Sequence, residues 1–261
     1  MSERDEHAHL RGDPHTHEVR SWLRVPDGLA VPRWAESRLC ASVALELEAR
    51  RGAALEQVVF GIVDLETTGL SPAHCRILEI GIVAVQGARV LGTFGTLVDV
   101  GGPVPSGITA LTGIDDALLA GAPCEAEALD AMAAFLAEHR VKVLVAHNAR
   151  FDRGFLARAW REHGREPGLP DFLCTVRLAR KLVRAPRYGL DALVAWLSIP
   201  ERARHRALGD AEMTADLFVE LVARARVGGV HTLEGLRKLG ELRTTPRARR
   251  RSRVHVVELG G

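Results

Sequence analysis

The chain has little cysteine, and no two cysteines stand at the spacing of a zinc site. Its four cysteines are Cys40, Cys75, Cys124 and Cys174, so no Cys-x-x-Cys pair is present. Structural zinc sites and thioredoxin-like redox motifs depend on such pairs. We therefore expect reduced thiols, with Cys75 in a loop and the other three buried as small apolar side chains.

The chain also lacks a long apolar run and a strong net charge. No stretch of about 18 residues is apolar throughout, and the polar, charged start does not resemble a signal peptide. We expect a cytoplasmic protein with no membrane partner. The formal net charge is only +2, so the total charge does not by itself indicate a nucleic-acid partner.

The distribution of charge is more informative than its total. From Val227 onward, eight Lys or Arg residues face three acids, a local charge of +5 that leaves about −3 for the remainder. The basic run 247–253 lies within this segment. Such a tail is either a solvated end or a contact for nucleic acid or a polymerase, and the sequence leaves both open.

An acid pair follows the first β-rich segment. Apolar residues of the segment 57–66 lead into Asp64 and Glu66, and Thr67, Thr68, Gly69 and Leu70 come next. Residues two apart on a strand share a face, so the two carboxylates are predicted to point the same way and repel each other. A divalent cation removes that repulsion. A solvated strand end is the alternative, and the Thr-Thr-Gly turn argues against it.

Two further blocks carry polar residues beside regular elements. The segment 141–146 predicts a strand that ends in His147 and Asn148, and Asp152 falls in the first turn of a helix over 151–163. Asp210 opens a predicted helix over 208–225, and His205 precedes it by five residues. Each residue alone also fits an ordinary turn or helix start. Carboxylates and one imidazole are together what a two-metal phosphodiester hydrolase needs.

The three blocks, in this order, resemble the exonuclease motifs of the DEDDh branch of the DnaQ-like 3′–5′ exonucleases, which includes the epsilon proofreading subunit of bacterial DNA polymerase III. The similarity runs from about Val58 to Ala225 and includes the segments 103–114, 172–180 and 188–193. The four residues between His205 and Asp210 match the His-containing branch. The resemblance covers about two thirds of the chain.

This resemblance implies a catalytic centre with two divalent cations, Mg²⁺ or Mn²⁺. It implies that Asp64, Glu66, Asp152 and Asp210 bind metal, and that His205 takes a proton from the attacking water, with Glu66 also catalytic. The implied substrate contacts are Thr67, Thr68, Leu70, His147 and Asn148. Leu70 is implied as a wedge beneath the terminal base and Asn148 as a phosphate contact.

The element pattern predicts an α/β protein with the ribonuclease H-like three-layer fold. We expect a mixed five-stranded sheet with three antiparallel strands first, at about 57–66, 76–86 and 89–99, flanked by helices. The predicted organisation is a disordered histidine-containing tail (1–20), a helical extension (21–56), the exonuclease domain (57–226) and a basic extension (227–261).

The expected reaction is release of nucleoside monophosphates from a free 3′ end, with single-stranded DNA as the expected substrate, in proofreading or repair. A DNA polymerase subunit is a possible partner through the terminal extensions. Three alternatives stay open: trimming of short RNA, a two-metal endonuclease on the same fold, and a non-catalytic polymerase-associated module that binds nucleic acid.

Overall fold

A five-stranded mixed sheet forms the centre of the computed structural model, which describes residues 53–165, 168–202 and 204–240. The predicted tail 1–20, most of the 21–56 extension and the basic run 247–253 lie outside the described residues. The strands are β1 (Val59–Thr67), β2 (Ile77–Gln86), β3 (Arg89–Leu97), β4 (Val143–Ala146) and β5 (Asp171–Cys174).

The strand order is β3-β2-β1-β4-β5. The first three strands are antiparallel, whereas β4 runs parallel to β1 and β5 parallel to β4. Gly87 makes the tight turn between β2 and β3 with a φ of 60°, a conformation that glycine adopts without steric cost. The predicted mixed sheet with three antiparallel strands first is confirmed.

Eight α-helices complete the described part of the chain. Their bounds are α1 Ser106–Thr112, α2 Asp116–Leu119, α3 Glu125–Glu138, α4 Arg150–Glu162, α5 Thr175–Leu182, α6 Leu190–Trp196, α7 Ala207–Val227 and α8 Leu233–Gly240. The helices α1 and α2 fall where the sequence predicted only a linker after the third strand. Asp115 caps α2 by accepting the N–H of Leu118 at 2.8 Å, and Ile114 and Leu119 bury their side chains against Leu78.

Two apolar layers cover the two faces of the sheet. On one face, strand residues such as Ile62 and Val83 pack with Leu178 of α5 and Phe218 of α7. On the other face, residues such as Ile82 pack against α3 and α4. Because side chains alternate along a strand, Asp64 and Glu66 project on the same face as Ile62, toward the layer that contains α7.

Residues outside the predicted limits 57–226 also contribute to this core. Leu55 is buried, and the backbone N–H of Leu55 donates to the carbonyl of His231 at 3.1 Å. Leu236 of α8 is fully buried in the same layer as α5 and α7. The sequence before β1 and the sequence after α7 are thus joined beside the sheet.

One prediction about the cysteines is wrong. Cys174 is buried and Cys75 lies in a loop, as predicted, but Cys124 is exposed. Cys40 lies outside the described residues. Cys124 lies immediately before α3, where its backbone N–H donates to Glu127 Oε2 at 2.9 Å. Its position at the end of a helix rather than within it explains the exposure. Among the described helices, none combines the length and apolar character that a bilayer crossing requires.

Gly81 permits the close approach of α7 to the sheet, which generates a stability prediction. Gly81 lies opposite Asp64 on β2, and a Cβ there would stand 2.3 Å from the carbonyl carbon of Ala207. We expect Gly81→Ala to cost about 1–3 kcal/mol, because the first turn of α7 must move to avoid backbone overlap. The measurement is the thermal unfolding midpoint, which should fall by several degrees.

Gly95 provides a matched control one strand away. It pairs with Gly81 in the sheet, but a Cβ at Gly95 would meet only side-chain atoms of Leu208, the nearest at 3.6 Å. Gly95→Ala should therefore leave the unfolding midpoint unchanged or slightly raised. Equal midpoints for the two variants would contradict the proposed close approach.

Candidate active site

The first two carboxylates extend from the end of the central strand. β1 pairs with β4 only from Phe60 to Ile62, so the end that carries Asp64 and Glu66 continues beyond the parallel pairing. On its other side, Asp64 lies opposite Gly81 and Glu66 lies opposite Glu79. The strand thus holds both carboxylates at the sheet edge where β4 also ends.

Asp152 reaches the same edge from α4. It lies in the first turn of the helix that follows β4 and is only 2% exposed. The backbone N–H groups of Leu65 and of Asp152 itself donate hydrogen bonds to its carboxylate. The contact with Leu65 binds the start of α4 to the strand that carries the acid pair.

Asp210 and His205 come from the start of α7. Asp210 is 8% exposed, and its Oδ2 accepts the backbone N–H of His205 at 3.1 Å. His205 has a positive φ of 56°. One ligand atom each from Glu66, His205 and Asp210 lies within 4.8 Å of the other two. The structure thus brings together three of the five predicted catalytic residues in one tight group.

Asp64 and Asp152 lie outside that tight group but belong to the same electrostatic environment. The pKa of Asp64 is raised well above its ordinary value, first by burial and then by the negative charges of Asp152 and Asp210. Burial also raises the pKa of Glu66 to about 7, with a further contribution from Asp210. The pKa of Asp152 rises to about 7, again mainly through burial.

An ion pair between Glu79 and Arg206, which no sequence pattern predicted, supports the site. Glu79 is 5% exposed on β2. It accepts two-pronged hydrogen bonds from Arg206, the shortest 2.8 Å from Nη2 to Oε1, and the backbone N–H of Ala207 at 2.9 Å. Glu79 therefore fixes the start of α7 against the sheet. The sequence feature that could have indicated Glu79 is its position as the one acid in the apolar strand β2.

The turn after β1 uses its hydroxyl groups internally. The Thr67 hydroxyl donates to the carbonyl of Gly69 at 2.7 Å, and the Thr68 hydroxyl accepts the N–H of Arg76 at 2.9 Å. Leu70 follows with 87% of its surface exposed. The turn is held in shape by its own threonines and presents an apolar side chain to solvent four residues after Glu66.

His147 is locked in place by two neighbours. Its Nε2 lies 3.1 Å from the Tyr188 carbonyl and its Nδ1 lies 2.9 Å from the Thr175 hydroxyl. Burial lowers the pKa of His147 to about 4, so the ring is neutral near pH 7. Because a carbonyl only accepts, Nε2 carries the proton and Nδ1 accepts from Thr175. Asn148 is exposed next to it, with a φ of 61°.

The donor set fits divalent cations that prefer oxygen ligands. Asp210 Oδ1 is buried without a hydrogen-bond partner in the described residues, although Arg204 Nε lies 3.4 Å away. An unsatisfied buried carboxylate oxygen beside other carboxylates is costly unless a cation compensates it. Carboxylate oxygens are the ligands of Mg²⁺ and Mn²⁺.

Comparison with known proteins gives a family match across the site. The exonuclease family model RNase_T matches residues 62–218. The chain is 41% identical over 198 residues to a DNA polymerase III subunit epsilon-like protein of Rhodobacter capsulatus, covering 72% of this chain and 28% of that protein. It is 30% identical over 184 residues to the DNA polymerase III subunit epsilon of Aquifex aeolicus, covering 69% of this chain and 90% of that one.

Solved structures show the same fold. Exonuclease X in complex with 5′ overhanging duplex DNA has a TM-score of 0.53 and 28% identity, covering 69% of this chain and 98% of that chain. The nuclease domain of 3′hExo, a DEDDh family member bound to rAMP, has a TM-score of 0.58 at 17% identity, covering 66% of this chain and 94% of that chain. The chain spans only 12–29% of the length of the first four curated relatives it matches.

The raised carboxylate pKa values predict how metal and pH act on stability. Between about pH 4 and pH 7 the folded, metal-free protein keeps protons on Glu66 and Asp152 that the unfolded chain has released. These acids therefore lower the free energy of unfolding as pH rises through that window. A divalent cation that binds the ionised carboxylates offsets this loss. We expect the difference in unfolding midpoint with and without Mg²⁺ or Mn²⁺ to grow from about pH 6 to about pH 8.

The difference in unfolding midpoint with and without metal cancels pH effects from groups that do not bind the metal. Neutral His147, with its lowered pKa, acts in the opposite sense below about pH 6.5, but it does so with and without metal. Asp152→Asn should make the metal-dependent difference smaller and flatter. A difference that is independent of pH, or that persists in the Asp152 variant, would contradict metal binding by these carboxylates.

Proposed function

This chain belongs to the DnaQ-like (DEDDh) exonuclease family, and on that premise we propose that it is a metal-dependent 3′–5′ exonuclease acting on DNA. The proposed reaction releases nucleoside monophosphates one at a time, with a role in proofreading or repair. The observation that carries the proposal is the group of Glu66, His205 and Asp210 ligand atoms within 4.8 Å of one another, with Asp64 and Asp152 beside it. The similarity to epsilon subunits supports DNA over RNA.

The mechanism follows from the positions of the protein's own groups. Asp64, Glu66, Asp152 and Asp210 would hold two divalent cations, Mg²⁺ or Mn²⁺. When bound, such cations supply acidity for the attacking water and charge stabilisation for the departing 3′ oxygen. His205 would take the proton of that water. Its backbone N–H bond to Asp210 keeps the imidazole beside the carboxylates, and Arg204 and Arg206 limit the negative charge around them.

The proposed substrate contacts divide into two groups. Asn148 is exposed and Thr68 is partly exposed, so the proposal lets both meet the terminal nucleotide directly. Thr67 is buried, and its proposed role is to shape the turn that receives that nucleotide. In His147 both ring nitrogens are occupied by protein partners, so its proposed role in binding is to position the neighbouring Asn148. The extensions 1–56 and 227–261, which flank the proposed exonuclease domain 57–226, are the proposed contacts for a polymerase.

A time course on end-labelled oligomers tests the reaction directly. With Mg²⁺ or Mn²⁺, 5′-labelled single-stranded DNA should shorten as a ladder, whereas 3′-labelled DNA should release labelled mononucleotide at once. RNA of the same sequence should react more slowly, and circular DNA should stay intact. RNA preference would favour the RNA-trimming alternative, cleavage of circles an endonuclease, and no reaction with any metal a non-catalytic binding module.

Site variants separate loss of chemistry from loss of fold. Asp64→Asn should abolish turnover while raising the unfolding midpoint of the metal-free protein, because it removes a buried charge next to like charges. His205→Ala should slow turnover by about 10²–10⁴-fold. Glu138→Gln, an exposed acid at the end of α3, is the control and should change neither property. Wild-type turnover in the His205 variant would remove His205 as the base.

Leu70 is the proposed wedge beneath the terminal base. Because 87% of its surface is exposed, Leu70→Ala should leave the unfolding midpoint unchanged. Burial against a base is worth about 1.5–3 kcal/mol for a leucine side chain, so kcat/KM on DNA should fall by about tenfold or more. Val227→Ala, 93% exposed at the far end of α7, is the matched control. Full activity of the Leu70 variant on every 3′ end would refute the wedge.

A further inference from the structure

The segment 175–190 carries five cations and no acid. The cations are Arg177, Arg180, Lys181, Arg184 and Arg187, and we call them the basic strip. Such a block of one charge sign on a folded surface marks a surface that attracts anions.

The fold exposes all five side chains of the basic strip. Arg177, Arg180 and Lys181 lie three and four residues apart on α5, so they share one helix face, and all three are exposed. The opposite face of α5 is buried through Leu178 and Ala179. Arg184 and Arg187 continue the exposed series in the segment between α5 and α6.

Three of the five side chains have no partner within the described part of the protein. Arg180 lies over the ring of Tyr188 at 5.7 Å, and Lys181 donates to the Lys238 carbonyl at 3.0 Å. Arg177, Arg184 and Arg187 form neither hydrogen bonds nor ion pairs there. Their guanidinium groups remain available for an external anion.

The acids that flank the strip in sequence, and one acid on α8, are paired with cations outside the three unpartnered arginines. Asp171, just before the strip, pairs with Arg237 at 2.8 Å, and Asp191, just after it, pairs with Arg204 at 2.5 Å. Glu234 on the neighbouring α8 pairs with Lys238 at 2.7 Å. The positive charge of the strip is therefore not cancelled by the acids that flank it.

His147 ties both ends of the strip to the edge of the sheet that carries the carboxylates. Its ring contacts the Thr175 hydroxyl, two residues before Arg177, and the Tyr188 carbonyl, one residue after Arg187. α5 also lies on the face of the sheet toward which Asp64 and Glu66 project. The strip thus starts and ends beside the candidate active site and runs away from it between those points.

We propose that the basic strip binds the phosphodiester backbone of the substrate strand on the 5′ side of the terminal nucleotide. The inference rests on the proposed exonuclease function and defines how that function holds a polymer. A site built from carboxylates repels a polyanion, so a flanking positive surface raises the affinity for long substrates. Guanidinium groups match phosphate oxygens in a two-pronged geometry. Arg177 and Lys181 are separated by about 6 Å along the helix axis, which suits successive phosphates.

The test compares a triple variant with a matched control. The variant Arg177→Gln, Arg184→Gln and Arg187→Gln removes the three unpartnered charges without breaking an internal contact. The control Arg89→Gln, Arg140→Gln and Lys142→Gln removes the same charge from exposed positions at the opposite end of the sheet. A third protein with Arg→Lys at the three strip positions keeps the charge there.

Two measurements are made on each protein. The first is the dissociation constant of a fluorescent single-stranded DNA 12-mer in chelator as a function of KCl concentration. The second is kcat/KM with Mn²⁺ for that 12-mer, divided by kcat/KM for the p-nitrophenyl ester of thymidine 5′-monophosphate, which has no upstream phosphates. The ester reports on the catalytic centre alone. If the wild-type protein turns over neither substrate, the exonuclease function is refuted. The binding measurement still tests the strip in that case.

The strip variant should bind the 12-mer at least about tenfold more weakly at low salt, and its plot of log affinity against log salt should be flatter by about 2, or about 0.7 for each contact. Its ratio of 12-mer to ester turnover should fall by a similar factor, whereas the control should match wild type. The Arg→Lys protein should keep the wild-type salt dependence, because its charge is unchanged, but bind more weakly than wild type, because lysine lacks the two-pronged geometry. Equal losses in strip variant and control would reduce the effect to net charge and overturn the proposal. Wild-type affinity in the strip variant would overturn the proposal. A loss of affinity in a variant with Arg150→Gln and Arg153→Gln on α4 would then place the strand on the other face of the sheet.

Discussion

Like charges held together at the end of one strand are the constraint on which this structure depends. Asp64 and Glu66 share a face of β1, and Asp152 and Asp210 are brought against them although both are nearly buried. Every one of these four acids has a raised pKa. Placing these four acids together lowers the stability of the metal-free protein, so stability alone does not explain their arrangement. The arrangement is understandable if a cation and an anionic substrate supply the missing partners.

The surrounding elements hold this unfavourable group in place. Gly81 lets α7 approach the sheet so closely that no Cβ fits between them, and Glu79 binds Arg206 and the first N–H group of that helix. On the other side, a backbone hydrogen bond from Leu65 to Asp152 joins β1 to α4. These contacts therefore offset the electrostatic repulsion among the four acids and hold their side chains in position before the substrate binds.

Local sequence patterns were sufficient for the sheet and for the acidic blocks, because strand periodicity and helix starts are read from neighbouring residues. They did not predict the ion pair between Glu79 and Arg206. These residues are 127 positions apart in the sequence, and a local pattern carries no information about contacts between such distant positions. The short helices α1 and α2 were missed because their few apolar contacts, such as Leu119 on Leu78, arise only after the sheet has formed. Cys124 was expected to be buried, but it is exposed because it lies immediately before the first turn of α3. The basic strip was visible in the sequence, but its proximity to the acids follows only from the contacts of His147.

Calorimetric titration of Mn²⁺ into the metal-free protein near pH 6.5, in two buffers with different ionisation enthalpies, tests whether metal ions bind these carboxylates and displace their protons. Glu66 and Asp152 have pKa values of about 7 and are therefore mostly protonated at that pH. We predict saturable binding with release of about one to two protons, and a smaller release in Asp152→Asn. Absence of binding, or binding without proton release, would contradict the claim that metal ions resolve the repulsion among these carboxylates.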